Sequence, residues 1–194
     1  GLTKINFVLD WVPNTNHTGI YVAKVKGYFE EEGLDVDIIQ PGESSADQLV
    51  ASNTAQFGIS YQEGVTFARD SGVPLVSLAA VIQHNTSGFG WLKDKGIESP
   101  KDFEGKKYGG WGSEVEEAMV KQIVKDAGGD PNKVEILTTG TSDFLQASET
   151  GQIDFAWIFE GWDLINVKNK GVEINYISLR VLSDVFDYYT PVIV

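Results

Sequence analysis

Short apolar runs alternate with amphipathic runs along the whole 194-residue chain, and that alternation restricts the fold more than any other feature. The runs around Ile5–Leu9, LDVDIIQ (34–40), Gln56–Ser60, VPLVSLAAVI (73–82), GFGWLK, KKYGGW (106–111), VEILTT, IDFAWIF and VEINYISL read as strands. Between them, 21–29, 46–52, 64–71, 113–126, 142–150 and 161–170 read as helices, and Ser99-Pro100 opens a further short one. Strand–helix alternation points to an α/β protein built on parallel sheets. The run 73–82 is apolar throughout, as expected of a strand buried on both faces. Ser113, followed by Glu114, Glu116 and Glu117, marks a helix start, where the helix dipole favours acids.

Composition narrows the function classes. Net charge is -13 with pI near 4.5, which argues against nucleic acid and anionic membranes as partners. The chain has no cysteine, hence no disulfide framework and no thiolate metal site. No apolar run approaches the roughly 20 residues that span a bilayer. Neither a Ser-His-Asp spacing, nor H-E-x-x-H, nor G-x-S-x-G occurs. No metal or cofactor is called for, and a site built from His17, His84 and Glu160 is the weakest reading of those residues.

Ligand sites in open α/β sheets lie at the carboxyl ends of strands, and four loops there carry candidate residues. In DWVPNTNHTG (10–19), Trp11 offers a stacking face, and Asn14 and Asn16 offer both donors and acceptors. His17 either hydrogen-bonds a ligand or anchors the loop. Thr18 completes the loop's ligand-contact candidates, although Asn14, Thr15 or Thr18 could instead cap the following helix. In SYQEG (60–64), Tyr61 and Gln62 should rise toward a ligand, whereas Glu63 reads as a helix-capping acid; in the neighbouring turn Gln83–Ser87, Asn85 could read a ligand or hold a junction. In GGWGSE (109–114), Trp111, Gly112 and Ser113 precede a helix, and the free backbone N–H groups there read as a clamp on a neutral or weakly polar group. In FEGWD (159–163), Glu160 is the leading ligand contact, able to accept from a ligand amino group in a charge-assisted bond, with Trp162 beside it. Tyr188 and Tyr189 lie on a returning segment, one facing the ligand and the other the core by strand alternation, with Tyr188 the candidate for the ligand side.

Several segments together resemble a known family: the D-W-x-P-N loop, YVAKVKGYFEEEGLDVDI, ASNTAQFGIS, Gly-Val-Pro-Leu-Val, S-P-K-D-F-E-G-K-K-Y-G and GQIDFAWIFEGWD. They are similar to the NMT1/THI5-like solute-binding proteins of ABC importers, which include binders of pyrimidine precursors of thiamin. The resemblance implies a two-lobed, type II periplasmic-binding-protein-like fold that closes by a hinge motion on a ligand in the interlobe cleft. It implies residues 1–84 as the first part of lobe one, 85–184 as lobe two and 185–194 as the return to lobe one. The rest of lobe one is then absent and the fold truncated at its C-terminus, which would favour self-association. The implied partners are a small heterocyclic ligand and the membrane subunits of an importer; the implied location is extracytoplasmic, in the periplasm or lipid-anchored at the outer face of the cell membrane.

One branch of the family consists of pyrimidine synthases carrying a lysine that binds pyridoxal phosphate and a histidine four residues on. Ser60 and Gly64 stand at those positions here. The departure favours a binder, with a thiamin-related aminopyrimidine as first ligand. The alternatives are a flavin, an alkyl sulfonate and, last, a synthase-like enzyme. A sulfonate would want a basic side chain, and none of the four loops offers one.

Overall fold

The computed structural model describes residues 1–140 and 143–194. The chain forms two compact units, 1–84 with 188–194 and 85–187.

Unit one starts with β1 (Thr3–Val8), the site loop, and α1 (Thr18–Val25). The helix expected over 21–29 is broken. Gly27 adopts φ 78°, a left-handed conformation that glycine reaches at no steric cost, and a separate turn α2 (Tyr28–Glu31) follows. β2 (Leu34–Ile39), α3 (Ala46–Ala51), β3 (Phe57–Ser60), α4 (Gln62–Asp70) and β4 (Ala79–Ala80) come next. Ser45 caps α3 reciprocally with Gln48, which satisfies two backbone donors.

Unit two holds β5 (Ser87–Leu92), β6 (Lys107–Gly110), α5 (Glu114–Asp126), β7 (Glu135–Thr138), α6 (Phe144–Glu149) and β8 (Phe155–Phe159). A π-helical turn (Glu160–Leu164) leads into α7 (Ile165–Asn169), β9 (Ile174–Ser178) and α8 (Leu179–Leu182). The chain then returns to unit one as β10 (Val192–Ile193). The expected helix 142–150 begins at Phe144, capped by Asp143, and its first residue, Ser142, lies outside the described residues.

Two expectations are corrected. The sheets are mixed rather than parallel throughout. Unit one has the order β2-β1-β3-β10-β4, with β1 parallel to β2 and β3 but β10 antiparallel to both its neighbours. Unit two has the order β7-β6-β8-β5-β9, with β5 antiparallel to β8 and β9. The run 73–82 is not a doubly covered central strand either. Only Ala79 and Ala80 pair, at the sheet edge, and Val76 and Leu78 are 60% and 56% exposed.

The return also starts later than residue 185, because the turn Asp184–Phe186 belongs to unit two and Tyr188 opens the unit-one segment.

Burial follows strand alternation. On β8, Phe155 and Trp157 face an aromatic cluster in which Phe103 stacks on Phe155 at 3.9 Å and Phe89 meets both edge-on, an arrangement suited to ring quadrupoles. Ala156 and Ile158 face the opposite layer with Phe144, Ile153 and Val167. The core of unit one packs Phe7, Leu9, Ile20, Val36 and Ile59. In both units the strand ends are thereby fixed, and the candidate loops hang from them.

Candidate functional site

In unit one, the loop after β1 is closed by its own polar groups. Asn14 caps the turn Thr15–His17 by accepting from the Asn16 N–H at 2.9 Å, and its amide donates to Val12 O. Thr18 Oγ1 donates to Thr15 O. His17 is fully buried. The Asn14 N–H donates to Nδ1 at 3.2 Å, so the ring proton sits on Nε2 and donates to Asp10 at 2.6 Å. Tyr61 donates to the other Asp10 oxygen at 2.6 Å. Burial, with the charge of Asp10 beside it, pushes the Tyr61 phenol well above its usual range. Of the two readings of His17, this geometry favours the loop anchor, since both ring nitrogens are engaged. Asp10, the residue that joins His17 to Tyr61, escaped the sequence reading. The loop leaves Trp11 outside, 48% exposed.

The loop after β3 divides its roles. Gln62 and Tyr189 exchange two bonds, Gln62 N–H to Tyr189 O at 3.2 Å and Tyr189 N–H to Gln62 Oε1 at 2.8 Å, which pins the returning segment. Tyr188 is half-buried and Tyr189 exposed. Glu63 lies against Asp47. Burial, and then the Asp47 charge, pushes the Glu63 carboxyl up to about 7. Burial raises Asp47 too, and the nearby Ser60 hydroxyl only partly offsets it. Asp47 Oδ1, Ser60 Oγ and Glu63 Oε2 are buried without a hydrogen-bond partner. A Cβ on Gly64 would lie 3.3 Å from Asp47 Oδ2 and 3.4 Å from Ser60 Oγ.

In unit two, the glycine-rich turn before α5 corrects the clamp reading. Its N–H groups are already taken by the chain's own Glu116, 2% exposed. The Glu116 carboxylate accepts from the backbone N–H groups of Trp111 (3.0 Å), Gly112 (3.0 Å) and Ser113 (3.1 Å), and from Tyr108 Oη (2.6 Å). The Ser113 hydroxyl in turn accepts from the Glu116 N–H at 3.1 Å. This is the reciprocal cap that Ser-x-x-Glu spells in sequence, so the signal was present at Ser113 and Glu116. Gly112 and Ser113 therefore serve this internal bond, and only the Trp111 indole, 47% exposed and 5.2 Å from Trp157, faces outward.

Glu160 begins the π-helical turn at the end of β8. Its carboxylate, 27% exposed, accepts from Tyr176 Oη at 3.1 Å and pairs with Arg180 Nη2 at 3.2 Å. Arg180 Nη1 donates to Asn85 O at 2.6 Å. Asn85 is fully buried: its N–H donates to Asp187 Oδ1, its amide to Phe186 O, and its Oδ1 accepts from Ser87. Ser87 Oγ accepts from the Trp157 indole at 2.7 Å. Asn85 and Glu160 are thus joined through Arg180, and Asn85 ties the first residues of the unit to its last. Burial and the adjacent Glu160 charge raise the Tyr176 phenol above its usual range. Trp162 is 55% exposed, while Asp163 caps the Phe159 N–H at 2.9 Å. Arg180 and Tyr176 were missed by sequence reasoning. Register explains why they arrive: β5 opposes Ser87 to Phe159 and Gly88 to Ser178, so β8 and β9 end level with each other on either side of β5.

The family model described as NMT1/THI5 like matches residues 14–194. The chain belongs to this family. It is 39% identical, over 140 residues, to a formylaminopyrimidine-binding protein of Halalkalibacterium halodurans, covering 72% of this chain and 42% of that relative. It is 32% identical over 139 residues to a 4-amino-5-hydroxymethyl-2-methylpyrimidine phosphate synthase of Saccharomyces cerevisiae, covering 71% of this chain and 41% of that enzyme. The matched segments therefore cover less than half the length of these two relatives. Among solved structures, the periplasmic aliphatic sulphonate binding protein SsuA of Escherichia coli superposes with TM-score 0.76 at 12% identity, covering all of this chain and 65% of that one. At that identity the likeness establishes the fold, a mixed α/β solute-binding-protein fold. The relatives thus include both a binding protein and a synthase.

Proposed function

We propose that this chain belongs to an extracytoplasmic solute-binding protein of an ABC importer, and that it binds a thiamin-related aminopyrimidine without turning it over. The observation that carries the reading is Glu160: a part-open carboxylate at a strand end, with the exposed Trp162 indole in the next turn. A carboxylate accepts strongly from an exocyclic amino group, and an indole stacks on a heteroaromatic ring. The formylaminopyrimidine-binding relative supports the same ligand class.

Synthase chemistry is disfavoured at the two positions that would carry it. Ser60 is 1% exposed, and Gly64 is hemmed by Asp47. A sulfonate is disfavoured by charge. The N–H groups before α5 hold Glu116, and the Arg180 guanidinium is balanced by Glu160.

Mass spectrometry of small molecules released from the purified protein, followed by calorimetry against aminopyrimidines, flavins and sulfonates, tests the reading. Tight binding of a sulfonate alone overturns the ligand class. Within it, Glu160→Gln weakens aminopyrimidine binding by about 1.5–3 kcal/mol, the range for a hydrogen bond to a charged group. An unchanged dissociation constant removes Glu160 from the site.

A further inference from the structure

Glu160 does not stand alone at its strand end. Arg180 Nη2 lies 3.2 Å from Oε1 and 3.3 Å from Oε2, and Tyr176 Oη donates to Oε1 at 3.1 Å. The guanidinium is itself held from behind, because Nη1 donates to the backbone carbonyl of the fully buried Asn85. Both partners of the ion pair remain part-open, with 27% of the Glu160 side chain and 37% of the Arg180 side chain exposed. An arginine stays protonated at every relevant pH and only donates, whereas an ionised carboxylate only accepts. The exposed edge therefore places an acceptor beside a donor, and its two formal charges cancel.

We propose that Arg180 is a specificity-determining residue of the ligand site, and that with Glu160 it selects the neutral amidine edge of an amino-heterocycle over its cationic form. This rests on the aminopyrimidine reading above and goes beyond it by naming the protonation state. In a neutral 4-aminopyrimidine, the exocyclic amino group donates while the adjacent ring nitrogen accepts. That order complements Glu160 and Arg180. Protonating or methylating that ring nitrogen removes the acceptor and adds a positive charge facing a guanidinium. The same arginine thus attracts one form and repels the other, and specificity is the difference between the two affinities. Arg180 also acts on Glu160 directly, holding its carboxylate in one orientation with Tyr176 as the second support. The tie to Asn85 fixes the guanidinium in place, so its charge cannot swing away when a cation approaches.

The test compares two probes by calorimetry on the 194-residue chain: a 4-aminopyrimidine, and the same compound methylated at the ring nitrogen beside the amino group. The wild-type chain is expected to prefer the neutral probe by roughly tenfold or more. Its affinity for the unmethylated probe falls as pH drops below that compound's own pKa. Arg180→Met loses the preference and gains affinity for the cation, and Arg180→Lys keeps the direction of the preference. The wild-type pH profile needs no variant, so a poorly folding Arg180→Met protein does not remove the test. Equal affinity of the wild-type chain for both probes, or a wild-type ratio in Arg180→Met, overturns the proposal while leaving the aminopyrimidine reading intact. Failure of the wild-type chain to bind either probe overturns both.

Discussion

Replacing Glu116 with alanine is expected to destabilise unit two by about 4 kcal/mol, because four donors lose their acceptor together. Three of them are the backbone N–H groups of Trp111, Gly112 and Ser113, and the fourth is the fully buried Tyr108 phenol. A buried donor left unpaired costs about 1–3 kcal/mol, and water entering the vacated space recovers part of the sum. Glu116→Gln should cost less than alanine. It keeps the shape and one acceptor, but turns an NH₂ group toward donors. Gly110→Ala attacks the same bond from the other side: a Cβ there would lie 1.7 Å from Glu116 Oε1 and 2.8 Å from the Tyr108 ring, so the carboxylate must leave its seat. Urea unfolding followed by tryptophan fluorescence, to which Trp111 and Trp157 beside the bond contribute, measures all three. A midpoint for Glu116→Ala equal to the wild type would show that the carboxylate is dispensable.

Stability of unit one should fall as pH rises from about 4.5 to about 7, and Glu63→Gln should flatten that dependence. The Glu63 carboxyl is raised from its ordinary 4.5 to about 7 in the folded chain. The folded state therefore holds this proton more tightly than the unfolded state. The stabilisation is complete below about 4.5 and is lost as pH climbs through 7. A shift of that size corresponds to at most about 3 kcal/mol. Asp47 is raised for the same reason, burial, and adds to the effect with the same sign. Glutamine cannot ionise, so Glu63→Gln should be more stable than the wild type at pH 8. Thermal unfolding of both proteins across this window checks it, and parallel curves would refute the assignment.

Local signals survived well in the sequence. Ser113 with three glutamates in the following turn marked the start of α5, and its end near Asp126 was legible as well. Direction was not legible, because alternation of apolar residues is the same in parallel and antiparallel strands. β5 and β10 reverse for topological reasons that no ten-residue window contains. The run 73–82 was misread because continuous apolarity signals burial without saying what covers it; at Val76 and Leu78 nothing in unit one does.

The candidate residues divide in the same way. Glu160 was legible as an acid just past an apolar strand. Arg180 was not, since it lies twenty positions further on and reaches Glu160 only through the register of β8, β5 and β9. The glycine-rich turn was recognised as a set of free N–H groups, but its occupant sits in the helix that the turn opens. His17 shows where a sequence leaves a choice open: a histidine in a polar loop fits a ligand contact or a loop anchor, and its two nitrogens bonded to Asn14 and Asp10 favour the anchor.

The position of β10 has a consequence for the order in which this protein can be made. It sits between β3 and β4, pairing Val192 with Ser60 and with Ala80. A ribosome releases residues 57–80 long before residue 192, so the sheet of unit one waits with an unfilled slot while 85–187, one continuous stretch, has everything it needs to fold. During that interval β3 offers unpaired backbone groups to whatever strand is near, the ordinary route to mispairing. Closing the slot requires a loop of more than a hundred residues to be spanned, a slow kind of contact. Unit two, once folded, shortens that loop by drawing its own two ends together at Asn85 and Phe186. Synthesis of this chain is thus a matter of timing, in which the beginning cannot complete its sheet until the end has been made.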